Sequence, residues 1–414
     1  MKELLQKLYS SMPATAKAHA QDSVERMCAL DTQLGCPSKH YPIIHVAGTN
    51  GKGSLVHKIS CAAMLSGLKV GIYISPHLES FRERMQIADP VSNEFHWISQ
   101  EAFKNSIEQV FDIEQQLGLT LNFFEIMTGA ALKFFAEEEV DLVLLEVGVG
   151  GRFDSTNFIT PILSIITSIG YDHCKLLGNT LDQIGWQKAG IIKERVPVAL
   201  GPSAQISVIL EEAKNKQALV LQSACFNQSF DEENSALATL CLKYLKDRLS
   251  LTEKAIIEGV QIRPACRFEV FAFKTEGFPK YIIFDVAHNE DGFRALVKAV
   301  RLKLGSAPLR FFLGMSHGKE LERCIRILKE EASYIHIAAI DHFKLLKAEA
   351  LKSAFVSGGC SNVGYEDTLE ATLEKALQQA TVHGEFLVVC GSFYIMQEIK
   401  HLFNQVEQKL LLIG

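Results

Sequence analysis

The chain reads as an α/β protein of two units, each built on a mostly parallel sheet. Three observations lead there. From Pro42 to Ile74 the sequence runs apolar stretch, glycine-rich loop, helical period and apolar stretch again, a βαβ unit that requires parallel neighbours. Val140 to Leu145 is apolar with hardly a break, the pattern of a strand covered on both faces. After residue 263, four more apolar runs alternate with helical stretches over about 150 residues, a normal domain size. At 414 residues the chain is also too long for a single core. The boundary is drawn between 1–262 and 263–414.

Composition narrows the class. An apolar fraction of 48% with 22% charged residues is that of a soluble globular protein. A net charge of −6 gives no basic footprint, so nucleic acid is not expected as a partner. No apolar run approaches membrane-spanning length, and the start (Lys2, Glu3, Lys7) lacks a signal-peptide core, so no membrane partner is expected either. The ten cysteines contain no Cys-x-x-Cys pair and read as free thiols in a reducing cytoplasm. A monomer is expected.

The first chemistry lies in His45-Val46-Ala47-Gly48-Thr49-Asn50-Gly51-Lys52-Gly53-Ser54. An apolar strand precedes it. Leu55, Ile59, Ala62 and Ala63 follow at helical spacing, and Gly67 supplies a stop. At such a strand-to-helix turn the backbone N–H groups converge, glycines let the main chain approach closely, and the helix start adds partial positive charge. Lys52 would reach terminal phosphates, and Ser54 or Thr49 could offer a hydroxyl to phosphate or Mg²⁺. The spacing is not that of a standard Walker A loop. Only Thr49 and Asn50 separate Gly48 from Gly51, and Gly53 intervenes before Ser54. A nucleotide loop of a variant type is the expectation.

The other elements follow in order. Residues 1–40 look helical, with Pro37 and Ser38 turning the chain into the first strand. The strand Lys69–Ile74 ends at Ser75-Pro76-His77-Leu78. Ligands of parallel sheets gather beyond the carboxyl ends of the strands, so Ser75 and His77 fall near the loop, although a serine before Pro-His also suits a plain turn. Arg82 and Arg84 either meet an anionic substrate or are solvated. A helix is expected over Asn122–Ala136, with Phe123, Met127, Ala130, Ala131 and Phe134 on one face. Glu146 ends the central run and leads into Val147-Gly148-Val149-Gly150-Gly151-Arg152. An acid there, across from a phosphate loop, is where such folds hold Mg²⁺.

The strand Ile162–Thr167 ends near Asp172-His173, a pair that suits either surface chemistry or metal binding. Thr180 and Gln183 have capping-box spacing, and Gly190 fits a helix stop. Leu181, Ile184 and Lys188 then share an inward stripe. Lys188 either snorkels to solvent or faces a site with an anionic partner. Val196–Leu200 is another strand, 203–260 is mostly helical, and Asn234 at the head of an apolar run reads as a helix cap. In the second unit, strands are expected at Tyr281–Val286, Leu309–Leu313, Tyr334–Ile340 and Glu385–Val389, with helices around 292–304, 319–331 and 367–380. Polar clusters at Asp285–Asn289, Gly314–Lys319 and Cys390–Tyr394 fall at strand ends along one edge.

Taken in order, several motifs are specific together: the loop above, Ser-Pro-His-Leu with Phe-Arg-Glu-Arg, Leu-Glu-Val-Gly-Val-Gly-Gly-Arg-Phe-Asp-Ser-Thr-Asn, Asp-His with Leu-Gly-Asn-Thr-Leu, Lys-Ala-Gly-Ile and Asp-Val-Ala-His-Asn. Across residues 41–395 they closely resemble the folylpolyglutamate synthase/dihydrofolate synthase family of the Mur ligase superfamily. The resemblance implies a P-loop-like ATPase domain followed by a smaller Rossmann-like α/β domain. It implies an ATP-dependent carboxylate–amine ligase that joins L-glutamate to dihydropteroate or folates. By the same resemblance, Thr49, Asn50, Gly51, Lys52, Gly53, Ser54, Asn234, Arg267 and Asp285 contact ATP. Ser75, Glu146, His173 and Lys188 hold two Mg²⁺ ions, Lys188 as a CO₂-derived carbamate, with Lys52, Lys188 and His173 acting in catalysis. Asn122, Phe123, Phe124, Glu125, Phe153, Asp154 and Ser155 line the pterin or folate site, and His288 and Ser392 the glutamate site.

The chain departs from the family's pattern in three places. Gln187 replaces a glutamate before Lys-Ala-Gly, Pro264-Ala265-Cys266-Arg267 is one residue longer than Pro-Gly-Arg, and Glu290 replaces a proline after Asp-Val-Ala-His-Asn. The competing readings are a peptidoglycan-type Mur ligase and a nucleotide-gated binding protein.

Overall fold

The order of strands places the loop. The computed structural model describes residues 2–11, 22–77, 80–224, 229–273 and 278–413. Leu78 of the Ser-Pro-His-Leu motif and residues 12–21 of the expected helical start lie outside the described residues. The chain forms two compact units, one of 1–170 with 174–263 and one of 171–173 with 264–414. The described strands of the first are β1 (Ile43–Ala47), β2 (Val70–Tyr73), β3 (Met85–Asp89), β4 (Glu94–Trp97), β5 (Leu142–Glu146), β6 (Leu163–Ile166), β7 (Val198–Leu200) and β8 (Val220–Gln222). They form one sheet in the order β4-β3-β2-β5-β1-β6-β7-β8. From β2 to β8 every pairing is parallel, while β3 and β4 add an antiparallel edge.

Register brings the chemistry to one edge. Val46 pairs with Glu146, Tyr73 with Leu145 and Ala47 with Ile166, so β1, β2, β5 and β6 end at the same level. Helices cover both faces of this sheet because its central strands are buried on both sides. One layer holds Phe103, Ile126, Met127 and Phe135, the other Leu55, Ile59, Leu237 and Leu242, all buried. Each such side chain contributes about 1.5–3 kcal/mol when fully buried.

Three local readings need correction. Asn234 is no cap: the helix runs Phe230–Leu245 and is opened by Ser229, whose capping box with Glu232 lies upstream, so Asn234 is an interior residue. On the helix Leu181–Ala189, Ile184 and Lys188 are buried, but Leu181 is 36% exposed. Thr180 caps that helix as the spacing predicts, and its first turn points to solvent. Phe81–Arg84 is a 3-10 turn, in which buried Arg84 donates to His77 Nδ1 at 2.9 Å and Arg82 to the Ile98 carbonyl at 2.6 Å; neither is merely solvated.

The second unit carries β9 (Glu269–Ala272), β10 (Tyr281–Phe284), β11 (Leu309–Leu313), β12 (Ala332–Ile337), β13 (Val363–Gly364) and β14 (Phe386–Cys390) among its described residues. Their order is β13-β12-β11-β14-β10-β9, parallel except for β9. Because β10, β11 and β14 are parallel neighbours, the polar clusters that follow them do share one edge.

Candidate active site

The loop is held by backbone contacts with the end of β6. Thr49 N–H donates to the Ser168 carbonyl at 2.9 Å and Asn50 N–H to Ser168 Oγ at 2.9 Å. Thr167 Oγ1 and Ser168 Oγ donate to the Asn50 carbonyl at 2.6 and 2.9 Å. Gly48 has φ +151°, and a Cβ there would meet Thr167 Oγ1 at 1.8 Å. Gly51 (φ +88°) caps the helix Lys52–Leu65, and a Cβ on it would stand 2.6 Å from Asn234 Oδ1. Both positions therefore demand glycine for conformation and for space. The helix start at Lys52 adds partial positive charge beside the loop.

Two ammonium groups meet at that loop. Lys52 Nζ donates to the Gly48 carbonyl at 3.1 Å, and Lys188 Nζ donates to the same oxygen at 2.9 Å. Lys188 is 4% exposed, so the snorkelling alternative is excluded. Glu146, 3% exposed, lies 4.0 Å from Lys52 Nζ and accepts from Ser75 N–H at 3.4 Å. It is no solvated strand end. Beside the loop opens a shallow cleft lined by Asn50, Gly51, Ser168, Phe230, Glu233 and Asn234, among others.

A second group of predicted residues forms an aromatic wall in the same unit. Phe124 lies against Tyr73 (5.6 Å between centroids) and over Gly148, and Phe123 packs on Phe81 with Arg84 at 5.2 Å. Asn122 and Glu125 cap each other across the helix start Phe123–Glu137, and Glu125 also accepts from Ser23 and Arg26. Their polar atoms are engaged in folding; Phe123 is buried in the core, and the ring of Phe124 is what this helix start leaves partly exposed. Asp154 accepts from the amides of Gly148 and Val149 at 3.1 and 3.0 Å, shaping the glycine-rich turn. Burial pushes its carboxyl up, against four hydrogen bonds that favour the anion. Thr156 links Asp154 to His45, whose pKa burial pushes down to about 3. Ser155 is buried in the same turn, and Phe153 stacks at a tilt on half-exposed Trp186.

The second unit builds its edge from charges. Asp172, 6% exposed, accepts from Lys319 Nζ at 2.9 and 3.0 Å and from Asn289 Nδ2 at 3.3 Å, with His288 Nε2 at 3.5 Å. Burial opposes its ionisation, but the His288 contact and the Lys319 ammonium outweigh that and hold the carboxyl far below the usual range. His173 follows in a left-handed conformation, with Nε2 3.8 Å from Asp172. His288 Nδ1 donates to the Val286 carbonyl at 2.7 Å; burial and Lys319 lower its pKa, with the facing Asp172 carboxylate and the Val286 carbonyl opposing. Ser392 pairs with Ser316 at 2.8 Å, and Arg267 lies 4.7 Å over Phe393. Asp285 accepts from Phe268 and Ala287 amides; burial raises its pKa, with Arg267 opposing. Cys266 and Phe268 both have positive φ, so the backbone is left-handed on either side of Arg267.

Comparison with known proteins decides the family. Residues 273–402 match the model of the dihydrofolate synthetase C-terminal domain. The chain is 32% identical to the dihydrofolate synthase/folylpolyglutamate synthase of Bacillus subtilis (strain 168), over 91% of this chain and 93% of that protein. The chain belongs to the dihydrofolate synthase/folylpolyglutamate synthase family. Among solved structures, it is similar to E. coli FolC in complex with DHPP and ADP, with a TM-score of 0.78 and 25% identity over 98% of both chains. A bifunctional enzyme of this family with Mn, AMPPNP and L-glutamate bound gives a TM-score of 0.78 and 26% identity over 97% of both.

Within this family member, the glycine-rich loop, Ser75, Glu146, Lys188 and Asn234 come together in the first unit, as do the residues around Phe124 and Asp154. Arg267, Asp285, His288, Ser392 and His173 belong to the second. Sequence reasoning noted Asp172, Asn289 and Lys319 near strand ends but gave them no joint role, whereas they form the centre of that unit's edge. Strand-end position was the available signal for all three, but their pairing is non-local. Among the described residues no group of three or more His, Cys, Asp and Glu forms a metal nest. The acceptors near the loop are instead a carboxylate, a serine and backbone carbonyls, hard oxygens of the kind that bind Mg²⁺ alongside phosphate.

Proposed function

We propose that this chain is an ATP-dependent ligase joining L-glutamate to dihydropteroate, to folates, or to both, through an acyl phosphate. The observation that carries the reading is the convergence of Lys52 and Lys188 on the Gly48 carbonyl, beside buried Glu146. The relatives bound to ADP with DHPP, and to AMPPNP with L-glutamate, support the substrate set.

The first step joins two anions. A carboxylate oxygen attacks the γ-phosphorus of ATP, ADP leaves, and the acyl phosphate forms. Two unit charges 4 Å apart repel by about 4 kcal/mol at an effective dielectric near 20. The loop amides of Gly51, Lys52, Gly53 and Ser54 and the Lys52 ammonium offset that repulsion, so catalysis is chiefly electrostatic positioning. Thr49 and Asn50 shape the loop, and Asn234, Arg267 and Asp285 serve the nucleotide. Ser75, Glu146, His173 and carbamylated Lys188 would hold two Mg²⁺ ions, which neutralise phosphate charge when bound. The rings of Phe123, Phe124 and Phe153 take the flat pterin, with Asn122, Glu125, Asp154 and Ser155 supporting them. In the second step the glutamate amine attacks the acyl carbon, loses a proton and expels phosphate. His288 and Ser392 serve glutamate.

Lys188 reaches its carbamate by capturing CO₂ on the neutral amine with loss of a proton, which burial favours. Lys188→Arg keeps its charge and should remain inactive even with bicarbonate; an active arginine variant would contradict the carbamate. The nine described cysteines are free thiols, as suits the reducing cytoplasm proposed for it.

The test is phosphate release by the purified chain. Release should require both glutamate and dihydropteroate or a folate, with the amide product identified by mass. Release independent of glutamate would favour a nucleotide-gated switch instead.

A further inference from the structure

Lys58 lies on the helix that carries the phosphate loop, and its side chain is wholly buried. Its ammonium donates to the Val260 carbonyl at 2.7 Å and lies 3.0 Å from Asp231 Oδ1. Val260 caps the end of the helix Glu253–Gly259, where the backbone carries partial negative charge. Asp231 stands in the first turn of Phe230–Leu245, where partial positive charge favours an acid. One cation thus ties the end of one helix and the start of another to the loop's own helix. Arg263 holds the other Asp231 oxygen at 2.7 Å, and Ser235 Oγ donates to the same Val260 carbonyl at 3.0 Å.

The helix pinned in this way presents Phe230, Glu233, Asn234 and Leu237 to the cleft beside the loop. Asn234 stands so close to Gly51 that a Cβ there would be 2.6 Å from its Oδ1. A shift of this helix by an ångström would therefore change the cleft. Apolar side chains could fill the space around Lys58 without desolvating a charge, so an ion pair here serves poorly as a stabiliser. It serves well as a register device, because its geometry is satisfied at one height of one helix against another.

We propose that Lys58 is a positioning residue for the base-and-ribose end of the nucleotide: through Asp231 it sets the helix Phe230–Leu245 over the phosphate loop. This rests on the reading of the loop as an ATP site. The test compares the parent, Lys58→Met and the double variant Lys58→Met with Asp231→Leu. Thermal unfolding, ADP affinity, and KM for ATP and for glutamate are measured on each. Lys58→Met should weaken ADP binding and raise KM for ATP about tenfold, with KM for glutamate changed less than about twofold, as misplacement confined to the nucleotide end requires. The double variant removes the buried ammonium together with its partly exposed partner and should regain thermal stability while ADP binding stays weak. Parent-like ADP binding by Lys58→Met, or recovery of affinity in step with stability in the double variant, would overturn the proposal. Should Lys58→Met fail to fold, the double variant decides by the same criterion. A parent that binds no ADP would overturn the ATP reading itself.

Discussion

The first unit holds its loop with backbone, and the second holds its edge with charge. Around Gly48–Gly51 the contacts are main-chain groups of the loop and of the segment after β6, with the short hydroxyls of Thr167 and Ser168, and the ammonium groups of Lys52 and Lys188 close on the loop's own carbonyl. Around Asp172 they are a carboxylate, an ammonium, an amide side chain and an imidazole from segments more than a hundred residues apart in sequence. Both edges lie at the carboxyl ends of parallel strands. The difference is in how each would fail: a backbone cradle survives loss of a side chain, whereas a charge cluster with one member removed leaves its partner buried and uncompensated.

The largest expected effect tests the first half of that contrast. Lys52→Ala should lower turnover by about 10²–10³, the size found for single electrostatic donors at developing charge, while the cradle keeps nucleotide affinity within reach of the parent. Turnover and ADP affinity measured together check this, and loss of affinity equal to loss of turnover would break the contrast. Next comes Asp172→Asn, which strands Lys319 and should destabilise the chain by about 3 kcal/mol or more in urea unfolding. An unchanged unfolding midpoint would show that the charge cluster holds nothing.

The smallest effect concerns a feature common to both units. Burial lowers His45 to about 3, and burial with nearby Arg310 lowers His336 to about 3. Both stay neutral in the fold, while the unfolded chain takes up protons near pH 6.5. Stability is therefore highest above pH 6.5 and falls as pH drops from 6.5 toward 3. At pH 5 the loss should be about 2 kcal/mol for each histidine. His45→Gln should lose that much less between pH 7 and pH 5 in urea titrations. Equal losses in parent and variant would mean that His45 is protonated in the fold.

Legibility in the sequence follows the same division. The glycine loop, the strand ends at Ser75 and Glu146 and the Thr180 cap were readable because glycine spacing, apolar runs and capping boxes are local patterns, although the contacts that join Ser75 to Glu146 and the loop to Ser168 are not. The capping pair Ser229 and Glu232 was equally local, and heeding it would have placed Asn234 inside its helix. The hairpin of β3 and β4 and the strand β8 escaped because their residues are short and partly exposed, with weak apolar pattern. Leu181 was misread because a stripe was extended into a first turn that faces solvent. The partners of Lys188, Lys58 and Asp172 were beyond sequence reasoning, since only the folded chain brings Gly48, Val260 and Lys319 to them.

The central claim is that the first unit moves the γ-phosphoryl group onto a carboxylate before any amide forms. Oxygen-18 in the carboxylate of the pterin-side substrate follows that transfer directly. Attack on the γ-phosphorus makes one labelled oxygen the bridge of the acyl phosphate, and the amine then expels it with the phosphate. After turnover with glutamate, the released phosphate should carry one labelled oxygen per amide formed. Phosphate free of label, with the amide still produced, would contradict the account.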